Sequence, residues 1–379
     1  MKHITLIKAQ ALLFLLPVTQ GLSQAFNSGS TGADGALIVT NAVTLNLPPT
    51  GVFNFTTISV AAGGTLSFKT NALNTPVYLL ATGDVSIAGT VDVTGSPSVG
   101  PLPGAGGPGG FEGGYGGYGF GATTQGGDGK GPGGGKYAYA NFRASGAFGG
   151  AGYQNPSVYG NVLLYPLIGG SGAAGNSGGP GAGGGGGGGA ILIGSNTRIQ
   201  VDGSILAVGG SGVQACGGSG GGIRLVAPLV TGTGALRTTG GIGYAYGGTG
   251  RIRIDSPDAY SFRSLQIFDA VQTHGSQMFV FKPVTSRLDI VELSGQAIAL
   301  GTQNPVQIVL PPGVATNATI TIQAHDFSAD IPIAVVVTPE NIASTTYNTN
   351  ITFSGNPSQL QLTIAIPAGE VSHVDVWTR

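Results

Sequence analysis

The sequence predicts an all-β protein: a parallel β-helix with glycine-rich excursions from one edge, followed by an immunoglobulin-like β-sandwich. Three observations predict it. Short alternating apolar strands recur in register, glycine-rich insertions leave that repeat at one position, and the composition changes near Lys282-Pro283. Glycine supplies 72 of 379 residues and charged side chains only 8%, against about a quarter in ordinary soluble domains. The hydrophobic fraction of 41% still provides the core that a disordered chain lacks.

The chain opens with Lys2, His3 and Lys8, the apolar run 11–16, Pro17 and the small tripeptide Ser23-Gln24-Ala25. This is the layout of a secretory signal peptide, with cleavage expected after Ala25. The run is far shorter than the roughly 20 residues of a membrane span, so a secreted product without a span is expected. No cysteine follows the cleavage site to carry a lipid, and Cys216 is the sole cysteine, so stability must come from ladders and stacking. Without Lys2 and Lys8 the formal charge moves from −1 to −3, which argues against a nucleic-acid partner.

Residues 26–282 hold the repeat. The segment 77–95 aligns without a gap on 191–209, an offset of 114 residues; further copies start at Ile223 and Arg251, and an earlier one at Ile58 carries one inserted residue. Apolar residues alternate within each copy, as at Val85, Ile87, Val91 and Val93, and period 2 marks strands with one buried face. Glycine at 89, 203 or 234 separates two strands, where the chain needs positive φ or close backbone approach. Units that cannot bury their own apolar face must stack, which is the logic of a solenoid.

The insertions 96–190, 210–222 and 241–250 leave the repeat at equivalent positions, so stacking places them side by side. The first holds 38 glycines between Gly100 and Gly189. Two readings are open: flexible linkers, or extended polyproline-II-like segments that bundle and pair their backbones. Nine of twelve tyrosines lie in the excursions, with Phe111, Phe120, Phe142 and Phe148. These rings either pack the bundle or offer a face to a partner. The candidate binding residues are Tyr115, Tyr118, Tyr137, Tyr139, Tyr153, Tyr244 and Tyr246.

Residues 283–379 form the expected sandwich. Strand-like runs at 288–291, 306–310, 319–324, 333–337, 350–353, 360–366 and 371–377 are separated by turn signals, and only five glycines remain. This part carries a charge of −5, against +2 for residues 26–283.

Catalytic signals are weak. A lyase or hydrolase on such a fold needs acids on adjacent coils, yet the alignment sets Asp84 opposite Arg198, Asp202 opposite Ala88 and Thr233, and Asp92 opposite Leu206 and Arg237. His274, His325 and His373 lack metal-ligand spacing. No nucleophile elbow or phosphate loop is present, and Gly126-Gly127-Asp128-Gly129 is a single copy of a unit that binds calcium only in tandem. Positions 90, 204 and 235 carry Thr, Ser and Ala, short of the regular threonine ladder that ice binding needs.

The phrase from Gly51 to Gly63, the rungs Gly-Thr-Val-Asp-Val-Thr-Gly and Gly-Gly-Gly-Ala-Ile-Leu-Ile, and Gly-Arg-Ile-Arg-Ile together resemble uncharacterised glycine-rich secreted proteins of environmental bacteria. In composition the glycine runs look like the polyglycine-II bundles of some phage tail adhesins. The resemblance implies an extracellular repeat protein and brings no catalytic residues with it. A secreted structural or adhesive protein of a surface or matrix is therefore expected, with no enzyme activity and no cofactor or metal. Its partners would be extracellular polysaccharide, other surface proteins or further copies of itself. The alternative is a carbohydrate-binding or carbohydrate-active protein.

Overall fold

The computed structural model describes residues 26–117, 125–138, 142–177, 181–276, 278–281, 286–300, 306–310, 317–327 and 329–379. The expected signal segment 1–25, the boundary at 282–283, Phe120, Tyr118 and Tyr139 lie outside these, as does the side chain of Phe142. Every regular element among the described residues is a β-strand.

Three parallel sheets organise the chain up to Gly275. The first holds Ala36–Val39, Thr57–Val60, Val85–Ile87, Arg198–Val201 and Leu229–Thr231 in that order. The second holds Ala42–Asn46, Thr65–Lys69, Thr90–Asp92, Ser204–Leu206, Ala235–Arg237 and Gln266–Phe268. The third holds Val52–Phe55, Val77–Ala81, Ala190–Ser195, Gly222–Val226, Gly250–Asp255 and Ala270–Gly275. The chain visits first, second and third sheet in rotation, and the last passage omits the first.

The register follows the repeat. Val77 pairs with Ile191, Ile191 with Ile223 and Ile223 with Ile252, while Val85, Ile199 and Val230 form a second column and Val91, Ile205 and Leu236 a third. These β-branched and leucine side chains point inward to one cluster in which almost every member is inaccessible. Each such residue contributes about 1.5–3 kcal/mol relative to an exposed one. A slip of one residue would turn the columns outward, which is why the alternation specifies the pairing.

The corner glycines act by close approach, since none of Gly89, Gly203 and Gly234 has positive φ. A Cβ on Gly89 would lie 2.3 Å from the Gly64 carbonyl oxygen, and one on Gly203 would lie 1.9 Å from that of Gly89. The stacked corners instead pair, with Ser204 N–H donating to Gly89 and Ala235 N–H to Gly203, both at 2.8 Å.

The sheets differ on their outer faces. Thr57–Val60 in the first alternates exposed and buried, whereas Ala190–Ser195 and Gly222–Val226 in the third are buried throughout. Phe148, Leu164, Leu167 and Val280 lie over Leu80, Leu192 and Val226, so part of the first excursion and the segment after the last strand cover this face. Arg224 and Arg253 also point outward here. Asp255 meets both, at 2.9 and 2.6 Å, with all three side chains almost wholly buried. Burial lowers the Arg224 pKa and the Asp255 charge opposes that shift.

The C-terminal part has a four-stranded antiparallel sheet, in the order Gln296–Ala297, Arg287–Leu293, Asn317–His325 and Ser358–Ala365. A three-stranded one follows the order Thr345–Ile351, Ile331–Pro339 and Ser372–Thr378. Ile320, Ile322, Ile333, Val335, Ile351 and Ile364 form a core separate from that of the parallel sheets. One expected strand is corrected: 306–310 is not a strand, and Val306 and Val309 are exposed. Its sequence neighbours Pro305, Pro311 and Pro312 lack the amide donors a ladder requires. Gln296–Ala297 instead pairs with the end of Arg287–Leu293.

Candidate binding surface

All three excursions run from the second sheet to the third, after Asp92, Leu206 and Arg237. The glycines of 183–189 are paired rather than free. Along 183–189 the direction of pairing repeats every third residue. The amides of Gly183, Gly186 and Gly189 donate to Gly100, Ser96 and Val93, those of Gly184 and Gly187 to Gly114 and Phe111, and those of Gly185 and Gly188 to Cys216 and Ser219, all at 2.7–3.2 Å. The carbonyls repeat likewise: Gly184 and Gly187 accept from Gly104 and Gly107, Gly185 and Gly188 from Ala173 and Gly170, and Gly186 and Gly189 from Gly210 and Gly222. A three-residue period with bonds only to neighbouring segments is the behaviour of polyproline-II-like strands in a bundle.

That packing explains the glycine. A Cβ on any residue from Gly183 to Gly189 would fall 2.0–2.7 Å from a backbone carbonyl oxygen of a neighbouring segment. Alanine does not fit between such segments, so the composition reflects close backbone approach and not mobility.

The bundle ends in a rim where the turns of successive excursions meet. Ser98 N–H donates to Ser211 and Val213 N–H to the Ser98 hydroxyl, joining the first excursion to the second. Gly212 donates to Ile242 and Tyr244 to Ala215, joining the second to the third. Ser145 returns to the first: its N–H donates to Tyr153 and its hydroxyl to Ala245. The rim side chains face solvent, with Val99 70% exposed, Val213 58%, Ile242 61%, Tyr244 72%, Tyr246 68% and Tyr153 49%. Between the two outward tyrosines, Ala245 turns inward against Cys216 and Ala173.

The candidate tyrosines therefore divide. Tyr153, Tyr244 and Tyr246 meet on the rim. Tyr115 is half-buried inside the bundle, its carbonyl accepting from Gly127. Tyr137 is half-buried near the C-terminal part, its N–H donating to Asp128 at 2.7 Å. Other rings pack: Phe148 and Tyr159 lie 4.7 Å apart over the third sheet, and burial raises the Tyr159 pKa. The sequence reading missed Val99, Val213 and Ile242. The available signal was an isolated apolar residue at the tip of each glycine-rich turn.

Asp128 has a structural place. Its fully buried carboxylate accepts from Tyr137 N–H and, at 2.7 Å, from Ser344 N–H of the C-terminal part, and it faces Lys136 at 3.4 Å. Phe111 meets Trp377 edge-on at 6.4 Å across the same contact. Asp84 and Arg198 form an exposed pair at 2.8 Å, worth roughly 0.2–1 kcal/mol. Asp92 lies in register between Ser67 and Leu206, so this column stacks no second acid on it. Among the described residues no group of three or more metal-ligating side chains converges, and no helix is long and apolar enough to cross a membrane.

No family model, curated protein or solved structure matches the chain.

Proposed function

We propose that this chain is a secreted structural or adhesive protein of a cell surface or matrix, without catalytic activity. In this reading the rotating parallel strands are the coils of a β-helix, the glycine bundle is a stiff outrigger on one edge, and the C-terminal sheets are an immunoglobulin-like sandwich braced against it. The observation that carries the proposal is the rim: apolar and aromatic side chains held in solvent on turns whose backbones are hydrogen-bonded to one another. Contiguous exposed apolar surface on a rigid support marks an interaction site. Exposed tyrosines also favour a second reading, a carbohydrate-binding protein, because their rings suit the apolar faces of sugars.

Beads coated with residues 26–379 are to be washed over apolar, protein and polysaccharide surfaces. Beads carrying Val99→Ser, Val213→Ser, Ile242→Ser, Tyr244→Ser and Tyr246→Ser together serve as the comparison. Retention on at least one surface that the variant loses supports the reading. Equal behaviour of both on every surface removes it, as does reducing-sugar release that depends on a single acid.

A further inference from the structure

The charges around the rim and the backbone of two rim residues narrow what it binds. Segments 93–111, 144–197, 203–223 and 238–250, which build the rim and its support, contain no Asp, Glu, Lys, Arg or His. A polyanion or polycation would leave its charges without partners here, while an uncharged polymer would lose nothing on contact.

The second observation is conformational. Gln154 and Gln214 both adopt left-handed backbones, with φ of 52° and 62°. Among the described residues glycine occupies most such positions, and Asn74, Asp269, Asp326, Leu164 and Ser294 hold the others. Glutamine is not among the residue types that favour that conformation, so keeping it there is conformationally costly. Both glutamines are exposed, next to Tyr153 and Val213 on the rim. Backbone strain at an exposed position points to a use for the side chain.

We propose that the rim binds a neutral polysaccharide. Tyr153, Tyr244 and Tyr246 stack on sugar rings, and the amides of Gln154 and Gln214 hydrogen-bond to hydroxyl groups. This rests on the adhesive reading and names the partner within it. Rings supply apolar contact at low entropic cost, and amides supply paired donors and acceptors for hydroxyls.

The test uses residues 26–379 in affinity electrophoresis and pull-down against neutral glucans, mannan and xylan, with alginate and polygalacturonate as acidic comparators. Binding to at least one neutral glycan is expected, unchanged by salt and weakened at least tenfold by Y244A with Y246A. Tyr260→Ala, an exposed ring away from the rim, leaves it unchanged. Gln154→Gly and Gln214→Gly separate recognition from folding, because glycine relieves the left-handed backbone. These variants are expected to melt no lower than the parent yet to bind severalfold more weakly.

Failure to bind any neutral glycan overturns the inference, as does binding to acidic polymers that salt abolishes, or neutral binding indifferent to Y244A with Y246A. Rim-dependent bead retention on a surface without glycan, together with no glycan binding, overturns the inference alone and leaves the adhesive reading standing.

Discussion

Arg224 and Asp255 sit on neighbouring strands of the third sheet, 2.9 Å apart, with neither side chain accessible to solvent. Arg253 holds the other oxygen of the same carboxylate, so one acid serves two guanidinium groups. Arg224 also donates to the Phe279 carbonyl and lies 4.6 Å from that ring. The network thus ties the strands to the segment that leads out of the parallel sheets.

Asp255→Asn leaves two buried cations without a counter-charge. Breaking a buried pair from one side costs about 3–5 kcal/mol, so a large drop in the denaturation midpoint is expected. Arg224→Met with Arg253→Met and Asp255→Leu should lose much less, since an apolar replacement leaves no orphan charge. Equilibrium denaturation of both variants checks this, and similar losses for the two would contradict it.

The glycine run gives a second test. Hydrogen exchange should find the amides of 183–189 as protected as those of Gly222–Val226, because both are paired and buried. Complete exchange within the shortest labelling time would restore the flexible-linker reading. Gly187→Ala, whose Cβ would meet the Gly170 carbonyl oxygen at 2.0 Å, should expose neighbouring amides across the bundle.

Cys216 is inaccessible between Ala173 and Ala245. Its thiol should therefore resist an exposed-thiol reagent in the folded protein and react fully in denaturant. Fast labelling of native protein, or a disulfide-linked dimer under oxidation, would be inconsistent with this packing.

Burial raises the pKa of Asp375 in the C-terminal strand Ser372–Thr378, and the nearby His373 and Lys130 oppose the shift. Between the unfolded value of about 3.9 and the raised native value, the folded protein binds more protons than the unfolded one. Stability from this group therefore falls as pH rises through that window. Asp375→Asn should melt above the parent at neutral pH, and the difference should vanish below the ordinary aspartate range. Melting curves of both proteins across the acidic range measure it, and an advantage that does not change with pH would contradict the assignment.

The strand columns were legible from residues alone. Val77 lies on Ile191 across a gap of 114 positions because alternating side chains tolerate only registers that keep the apolar set on one face. The common departure point of the excursions followed from the same alignment. Of the seven tyrosines singled out, Tyr153, Tyr244 and Tyr246 meet on one surface, whereas Tyr115 and Tyr137 do not.

Tertiary structure alone decided the partners of each glycine, the burial of Asp128 and the Arg224–Asp255–Arg253 network. It also decided the meeting of three turns at one rim. The physical reason is that side chains encode a face, whereas a glycine run has none. Every neighbour is locally equivalent to such a run, and its partners are chosen only when the stacked strands bring particular segments within hydrogen-bonding distance.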